Sequence, residues 1–164
     1  MYIKKLSREK QYLAFLQMAG WYEERKVDVS DYQTEAYNRY IKLTTKALNF
    51  IEEFTGLEPY IQFTYKDAGD EIFYDFDFNL NVEEASKCYS TKDYHAISKF
   101  AKEKCLCLGT LGYYYPGVLA ISETGRLYLK HDYNDFVKEF LSMTEIIASE
   151  LKTCDDLTAI RVAK

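Results

Sequence analysis

Residues that commonly perform catalysis are scarce in this chain. It contains two histidines, His95 and His131, and nothing close to either of them in sequence completes a nucleophile–base–carboxylate arrangement. We expect both to be ordinary surface or boundary residues. The sequence has no Gly-x-Ser-x-Gly segment, no Gly-x-Gly-x-x-Gly segment and no phosphate-binding loop. These observations argue against an enzyme, and no catalytic residue is predicted.

The spacing of the acidic residues does not predict a metal site. The segment Asp75-x-Asp77-x-Asn79 resembles the opening of a calcium loop, but such a loop requires Gly next and Glu at its twelfth position. The chain has Leu80 and Ser86 there. Because these polar residues alternate with apolar ones, the segment is predicted to be a β-strand. No metal ion and no other cofactor is expected.

The cysteines also lack metal-site spacing. No Cys-x-x-Cys pair occurs, and the closest two are separated by one residue, which is too tight for the usual zinc ligands. No apolar secretory segment follows the basic start at residues 1–10. We therefore expect a cytoplasmic protein with reduced thiols packed in or near the core. The four residues are Cys88, Cys105, Cys107 and Cys154.

Composition limits the remaining classes. A chain of 164 residues is long enough for one domain with its own core. Its net charge of −5 disfavours direct binding to nucleic acid, which requires a basic surface. The longest uncharged stretch, residues 105–122, has the length of a membrane helix, but glycines, a proline and three tyrosines interrupt it. No membrane-spanning segment is predicted.

The negative charge is concentrated in one segment. Residues 67–86 contain seven acids and no Lys or Arg, so this segment carries more negative charge than the net value for the whole chain. One interpretation is a solvated strand face followed by a helix start, where acids suit the helix dipole. The other is a docking surface that steers and selects a basic partner. The acids are Asp67, Asp70, Glu71, Asp75, Asp77, Glu83 and Glu84.

Tyrosine is unusually frequent, with 16 copies. Tyr12, Tyr37, Tyr40 and Tyr94 fall on predicted helix core faces, and Tyr74 falls on the apolar face of a predicted strand. The consecutive residues 113–115 differ, because three neighbouring tyrosines in a Gly-flanked loop cannot all face inward. Tyrosine is enriched at protein interfaces, so this loop indicates protein binding.

Hydrophobic periodicity predicts two helices in the first third of the chain. Residues 7–19 place apolar side chains at helical spacing, and Gly20 ends the helix. A longer helix is predicted over residues 31–54, ended by Thr55 and Gly56. Its core face is expected to carry Tyr37, Tyr40, Ile41, Ala47, Leu48, Ile51 and Phe54.

Period-2 alternation predicts two hairpins. The first covers residues 60–80 and turns at Asp67-Ala68-Gly69-Asp70. The second joins residues 118–121 to residues 127–129, with Gly125 as the left-handed residue of its loop.

The remaining elements complete the fold class. Helices are predicted over residues 92–104, capped by Thr91, and over residues 134–152, after which the tail from Thr153 is expected to be loose. Helices around a central antiparallel sheet give an α+β fold. Residues 1–164 show no repeat or linker and are predicted to form a single domain.

Three segments resemble the SUKH immunity-protein superfamily, closest to its third subgroup. They read AGWYEERKVD at residues 19–28, FIEEFTGL at residues 50–57, and LGYYYPGVLAI at residues 111–121 continuing into GRLY. Each motif alone recurs by chance, but their order and spacing over about residues 10–152 make the match specific. Glu23, Glu24 and Thr55 stand where the subgroup often has Pro or Gly. These differences make turns at the motif positions less strongly predicted, but they leave the resemblance to the family intact.

The resemblance implies an α+β, SUKH-like domain that is not an enzyme. Such a protein binds and neutralises a cognate polymorphic toxin domain, often a nuclease or nucleic-acid deaminase. The motif positions are expected to be structural, with Trp21 as a core anchor, Arg25 able to pair with Asp28, and the hairpin held by its Gly-Arg pair. These positions are Gly20, Trp21, Arg25, Asp28, Gly56, Gly125, Arg126 and Tyr128.

The first functional hypothesis is therefore a bacterial immunity protein whose partner is a basic toxin domain. The alternative is a non-immunity protein-binding or regulatory module of the same fold, and the third is a small enzyme that uses an acidic site with His95 or His131. The predicted contacts with the toxin are the acids Asp70, Glu71, Asp75 and Asp77 and the loop residues Tyr113, Tyr114 and Tyr115.

Overall fold

A computed structural model describes residues 1–163, in which six helices and seven strands are formed. The helices are α1 Arg8–Met18, α2 Ser30–Asn38, α3 Thr45–Phe54, α4 Val82–Cys88, α5 Lys92–Ala101 and α6 Met143–Glu150. The strands are β1 Tyr60–Asp67, β2 Asp70–Asn79, β3 Cys105–Gly112, β4 Gly117–Ser122, β5 Leu127–Lys130, β6 Val137–Phe140 and β7 Leu157–Val162.

All seven strands form one sheet in the order β6-β5-β4-β3-β2-β1-β7, and every neighbouring pair is antiparallel. Six strands follow each other in sequence order, and β7 returns to lie beside β1. The α+β prediction is confirmed.

Helices cover the two faces of the sheet unequally. The central strands β3, β4 and β5 are buried along almost their whole length, with α4 against β3 and α5 against β3 to β5. On the other side α1 packs on β7 and α6, and Phe15 meets Phe63 and Phe76 edge-on at 5.5 Å between ring centroids. One face of the β2-β1-β7 wing remains exposed, and Phe73 on it is 58% exposed.

The predicted turn signals of α1 and both hairpins are confirmed. Gly20 has φ +100° after α1, and Trp21 N–H donates to Leu16 O at 2.9 Å, as in a Schellman C-cap. Ala68 and Gly69, with φ of +50° and +87°, form the two-residue turn between β1 and β2. Both values are positive, as a type I′ hairpin turn requires.

The predicted helix over residues 31–54 is wrong as a single element. It is divided into α2 and α3 at Tyr40, which has φ +57°. Ile41 N–H donates to Ala36 O at 2.8 Å and Tyr40 N–H to Tyr37 O at 3.1 Å, which is a Schellman cap with tyrosine in the usual glycine position. Because this cap redirects the chain, Tyr37 and Tyr40 are 82% and 81% exposed, and their predicted core positions are wrong.

The predicted C-terminal organisation is also wrong. Val137–Phe140 forms the edge strand β6, and α6 begins only after Ser142, whose Oγ accepts a hydrogen bond from Glu145 N at 3.2 Å. The tail predicted to be loose contains β7, which pairs with β1. The helix predicted over residues 134–152 included Val137–Phe140, because four residues of strand are too few for periodicity to separate the two structures.

Candidate functional site

The predicted acidic contacts lie mainly on the uncovered face of β2. Side chains alternate across a strand, so Glu71, Phe73, Asp75 and Asp77 share this face, whereas Phe76 and Phe78 are fully buried on the other. Glu71 and Asp75 are exposed and Asp77 is half-buried. Asp70 is exposed beside the turn at the start of β2. The structure therefore brings three of the four predicted acids together on one surface, which we call the acidic face.

Asp77 has the most unfavourable environment of these acids. Burial, together with the nearby charges of Asp75 and Glu84, raises the pKa of its carboxyl group to about 6. Tyr60 of β1 lies opposite Asp77, and Gly112 of β3 lies on its other side. At neutral pH an anion is thus held where both the loss of solvation and the neighbouring negative charges destabilise it.

Basic residues limit the acidic face on its β7 side. Arg161 Nε donates to Gln62 Oε1 at 2.6 Å, and Gln62 is the β1 partner of Asp75. Lys66 lies opposite Glu71 on the adjacent strand. A shallow cavity of about 280 Å³ lies between Gln62, Asp75 and Arg161. The surface thus grades from acidic at β2 to basic at the sheet edge.

The tyrosine loop follows β3. Tyr113 is half-buried, and its ring meets Phe63 and Tyr74 edge-on at 5.7 and 5.4 Å between centroids. Its hydroxyl lies 3.0 Å from Thr153 Oγ1, and burial raises the pKa of this phenol to about 12. Tyr114 and Tyr115 are 50% and 65% exposed. One tyrosine of the three thus packs on the sheet and two face solvent.

The tyrosine loop and the acidic face lie on opposite sides of β2. Tyr74 contacts both Tyr113 and Tyr114, with ring centroids 5.4 and 6.4 Å apart. Phe73 and Asp75, its neighbours in the strand, project to the other side. The structure therefore does not combine the two predicted contact sets into one flat surface.

The first family-motif residues contact the end of α3. Trp21 stacks on Phe54 and donates from Nε1 to Glu53 Oε1 at 3.1 Å. Arg25 is buried, and its Nη1 donates to the backbone oxygen of Glu53 at 2.6 Å. Burial lowers the pKa of Arg25. These contacts attach the segment after α1 to the C-terminal end of α3.

Arg25 and Asp28 do not form the suggested pair. Asp28 instead accepts a hydrogen bond from Ser30 N–H at 2.8 Å, and this bond lowers the pKa of its carboxyl group. Gly56 has φ +71°, and its N–H donates to Leu80 O at 2.9 Å. The arginine therefore supports a backbone carbonyl rather than a neighbouring carboxylate.

The later motif residues lie in the β4-β5 hairpin. Gly125 has φ +91°, as a hairpin loop with a left-handed residue requires. Arg126 forms an ion pair with Glu139 of β6 at 3.1 Å, and Tyr128 donates to the same carboxylate at 3.3 Å. These side chains connect β5 to the edge strand β6.

The two histidines have different environments. His95 is exposed on α5, as predicted. His131 is buried, contrary to the expected surface or boundary position, and its Nε2 lies 2.6 Å from Oε1 of buried Glu150. The partner is 19 residues away in another element, so no local sequence signal identified the pair. In residues 1–163 no hydroxyl or thiol is hydrogen-bonded to His131.

The thiols are structural in their surroundings. All four cysteines are buried and free, as expected. Burial raises the pKa of Cys88 to about 11 and that of Cys105 to about 12, so neither is an activated nucleophile.

No group of three or more His, Cys, Asp or Glu residues in the described part of the chain is arranged to hold a metal ion. No helix among residues 1–163 has the length and apolar character needed to cross a membrane.

Comparison with known proteins gives one match. A family model described as SUKH-3 immunity protein matches residues 8–141. No curated protein and no solved structure matches the chain. The matched range contains the acidic face, the tyrosine loop and every family-motif position named above.

Proposed function

This chain belongs to the SUKH-3 immunity protein family, and from that membership we propose that it binds a cognate toxin domain and neutralises it without catalysing a reaction. The toxin that we propose is a nuclease or nucleic-acid deaminase of a bacterial polymorphic toxin system, bound in the cytoplasm. The family supports the immunity role, and the surface chemistry of the chain supports the class of toxin.

The acidic face is the observation that supports a toxin acting on nucleic acid. Enzymes acting on nucleic acid bind phosphates through Lys and Arg, so their substrate grooves are basic. Glu71 and Asp75 are exposed and Asp77 is half-buried on the same face of β2, a strand paired with β1. Clustered charge of this sign accelerates encounter with a basic groove and selects against acidic proteins.

Asp77 adds an energetic argument for a cationic partner. The repulsion and burial that raise its pKa to about 6 destabilise the free protein at neutral pH. A Lys or Arg placed beside Asp77 would offset the repulsion by Asp75 and Glu84, because an opposite charge stabilises the carboxylate. Binding of a cationic partner would therefore stabilise the Asp77 carboxylate, which is destabilised in the free protein.

Tyr114 and Tyr115 form the second proposed contact. Their exposed rings offer rigid apolar area with a hydroxyl on each, which is the composition of energetically important interface residues. Tyr113 supports them from below through its contacts with Phe63 and Tyr74.

The test is co-expression with the toxin domain encoded beside the gene, read out as rescue of growth and as co-purification. Association kinetics are then measured at increasing salt for the parent protein and for the double variant Asp75→Asn with Asp77→Asn. We expect the double variant to associate about tenfold more slowly at low salt and to show a weaker salt dependence. A Tyr114→Ala with Tyr115→Ala variant tests the loop by its dissociation rate.

The matched control is Glu23→Gln with Asp135→Asn, which removes two exposed charges away from the acidic face. Equal association rates and equal salt dependence for the two double variants would show that the acidic face is not the contact surface. Absence of both rescue and co-purification would contradict the immunity function itself.

A further inference from the structure

Strand β2 extends beyond the strand next to it. It pairs with β1 from Asp70 to Asp77, but only Asp77–Asn79 pair with β3. Strand β3 ends at Gly112, where the chain turns into the tyrosine loop before β4. In the described part of the chain, residues 70–76 therefore have no strand on their outer side. At about 3.4 Å per residue this free edge is about 20 Å long.

The backbone groups on this edge point outward. Asp67 and Asp70 close the two-residue type I′ turn, and the closing pair of such a turn is hydrogen-bonded. Hydrogen-bonded and non-hydrogen-bonded pairs then alternate along the ladder. The N–H and C=O groups of Glu71, Phe73 and Asp75 consequently face away from β1. None of them has a backbone partner within residues 1–163.

The free edge separates the two proposed contact sets. The acidic side chains project to one side of β2, and Tyr74 with Tyr113 and Tyr114 lies on the other. A partner lying flat on one face would touch only one set. An extended strand beside β2 would place alternate side chains over both faces, because the side-chain period of a strand is two.

We propose that the partner binds as an extended segment that adds a strand to the free edge of β2 at residues 70–76. In this segment Lys or Arg alternates with apolar residues, so that the cations face Glu71 and Asp75 and the apolar side chains face the tyrosines. The inference rests on the proposed function, since it specifies which segment of the toxin is bound and how.

Charge decides between this occupant and a second copy of the chain. Two β2 edges placed side by side would bring Glu71 and Asp75 of both copies together, and like charges across strands are destabilising. Charged edges are a common protection against such self-association. A basic strand meets no such repulsion and supplies the backbone partners that the edge lacks.

Phe73 allows the backbone to be tested separately from the side chain. Its N–H faces outward, so Phe73→Pro removes an edge donor and places a ring on the edge without removing a hydrogen bond to β1. Phe73→Ala removes the same side chain and leaves the edge intact. Circular dichroism and urea unfolding confirm that each variant is folded. We expect Phe73→Pro to bind the neighbouring toxin domain about tenfold more weakly than Phe73→Ala.

A synthetic peptide tests the edge without the toxin. The probe is a seven-residue peptide in which Lys alternates with Val, and its control is the same peptide with all backbone amides N-methylated. We expect saturable binding of the first peptide, slower hydrogen exchange at the amides of Glu71, Phe73 and Asp75, and affinity about tenfold lower for the methylated control.

The outcomes separate the two proposals. Equal toxin affinity for Phe73→Pro and Phe73→Ala, or equal binding of the two peptides, overturns strand addition while growth rescue still supports the immunity function. Peptide binding that depends on free amides, in a protein that fails to rescue growth, supports the edge and contradicts the proposed function.

Discussion

His131 and Glu150 form a buried hydrogen-bonded pair, with 2.6 Å between Nε2 of the imidazole and Oε1 of the carboxyl group. Gly112 lies against the same carboxyl oxygen, and a Cβ at this position would collide with it. The pair therefore connects the end of β5, helix α6 and the start of the tyrosine loop. We therefore expect the His131–Glu150 pair to stabilise the backbone at the start of the tyrosine loop.

Removing the acid should destabilise the protein more than neutralising it. Glu150→Ala leaves His131 without a partner in the interior, and we expect a loss of about 2–3 kcal/mol in the free energy of unfolding. Glu150→Gln keeps an oxygen and should cost less than half as much. Urea unfolding monitored by circular dichroism measures both. Equal effects of the two variants would show that packing, and not the hydrogen bond, holds this site together.

The buried pair also bears on the enzyme hypothesis. If the protein acts only by binding, His95→Ala with His131→Gln should retain growth rescue as long as the protein is folded. Loss of rescue with unchanged toxin affinity and unchanged unfolding free energy would instead indicate chemistry at a histidine.

Asp77 should make stability depend on pH. Its pKa is about 6 in the folded protein and lower in the unfolded chain, so the folded state binds more protons between about pH 4 and pH 6. Stability contributed by this group is therefore lost as the pH rises through that window. Asp77→Asn should stabilise the protein at neutral pH by about 1 kcal/mol, because partial solvation reduces the full linkage value.

The gain from Asp77→Asn should vanish below about pH 3, where the parent carboxyl group is protonated in both states. Unfolding in urea at several pH values gives the difference directly. Asp135→Asn controls for the change in net charge, since Asp135 is exposed away from the acidic face. A constant difference across the whole pH range would contradict the assignment to Asp77.

Arg25 should matter through Glu53 rather than through Asp28. Arg25→Ala removes a buried guanidinium and leaves the backbone oxygen of Glu53 without its donor, so we expect a loss of about 2 kcal/mol. Asp28→Ala breaks only the exposed bond to Ser30 N–H and should cost clearly less than Arg25→Ala. Equal losses and strong coupling in the double variant would favour an Arg25–Asp28 pair.

Tyr40 occupies a backbone position that suits glycine. With φ at +57° it pays a steric penalty that glycine avoids, so Tyr40→Gly should stabilise the protein by about 0.5–1 kcal/mol. Tyr37 is equally exposed but lies in the last turn of α2 with a helical backbone, and Tyr37→Gly should destabilise by about 0.5 kcal/mol. Thermal unfolding of the two variants should therefore shift in opposite directions.

The ends of α1 and α2 show what the sequence can and cannot predict. Gly20 predicts the end of α1, because glycine readily adopts a positive φ. Tyr40 also has a positive φ at the end of α2, but its residue type does not predict one. Its neighbours continue the helical spacing, yet the chain leaves the helix there, and the backbone and hydroxyl of Thr44 both donate to the backbone oxygen of Glu123, 79 residues later. Such tertiary contacts have no counterpart in local periodicity.

The candidate site was predictable in composition but not in arrangement. The acids of β2 and the three tyrosines are visible as clusters in the sequence, and the hairpin that carries the acids follows from alternation. Their placement on opposite faces depends on where β3 ends relative to β2, which is set by pairing between Asp77 and Gly112. The partner of His131 likewise depends on where α6 packs.

Strand β1 has two neighbours of very different origin. On one side β2 follows after a two-residue turn, and on the other Thr64 meets Thr158, a residue 94 positions later. Closing a loop of that length costs more chain entropy than closing the turn, so we expect the hairpin to form before β7 joins it. Until β7 docks, the outer edge of β1 is unprotected. That interval is when a newly made chain is most exposed to aggregation through this strand.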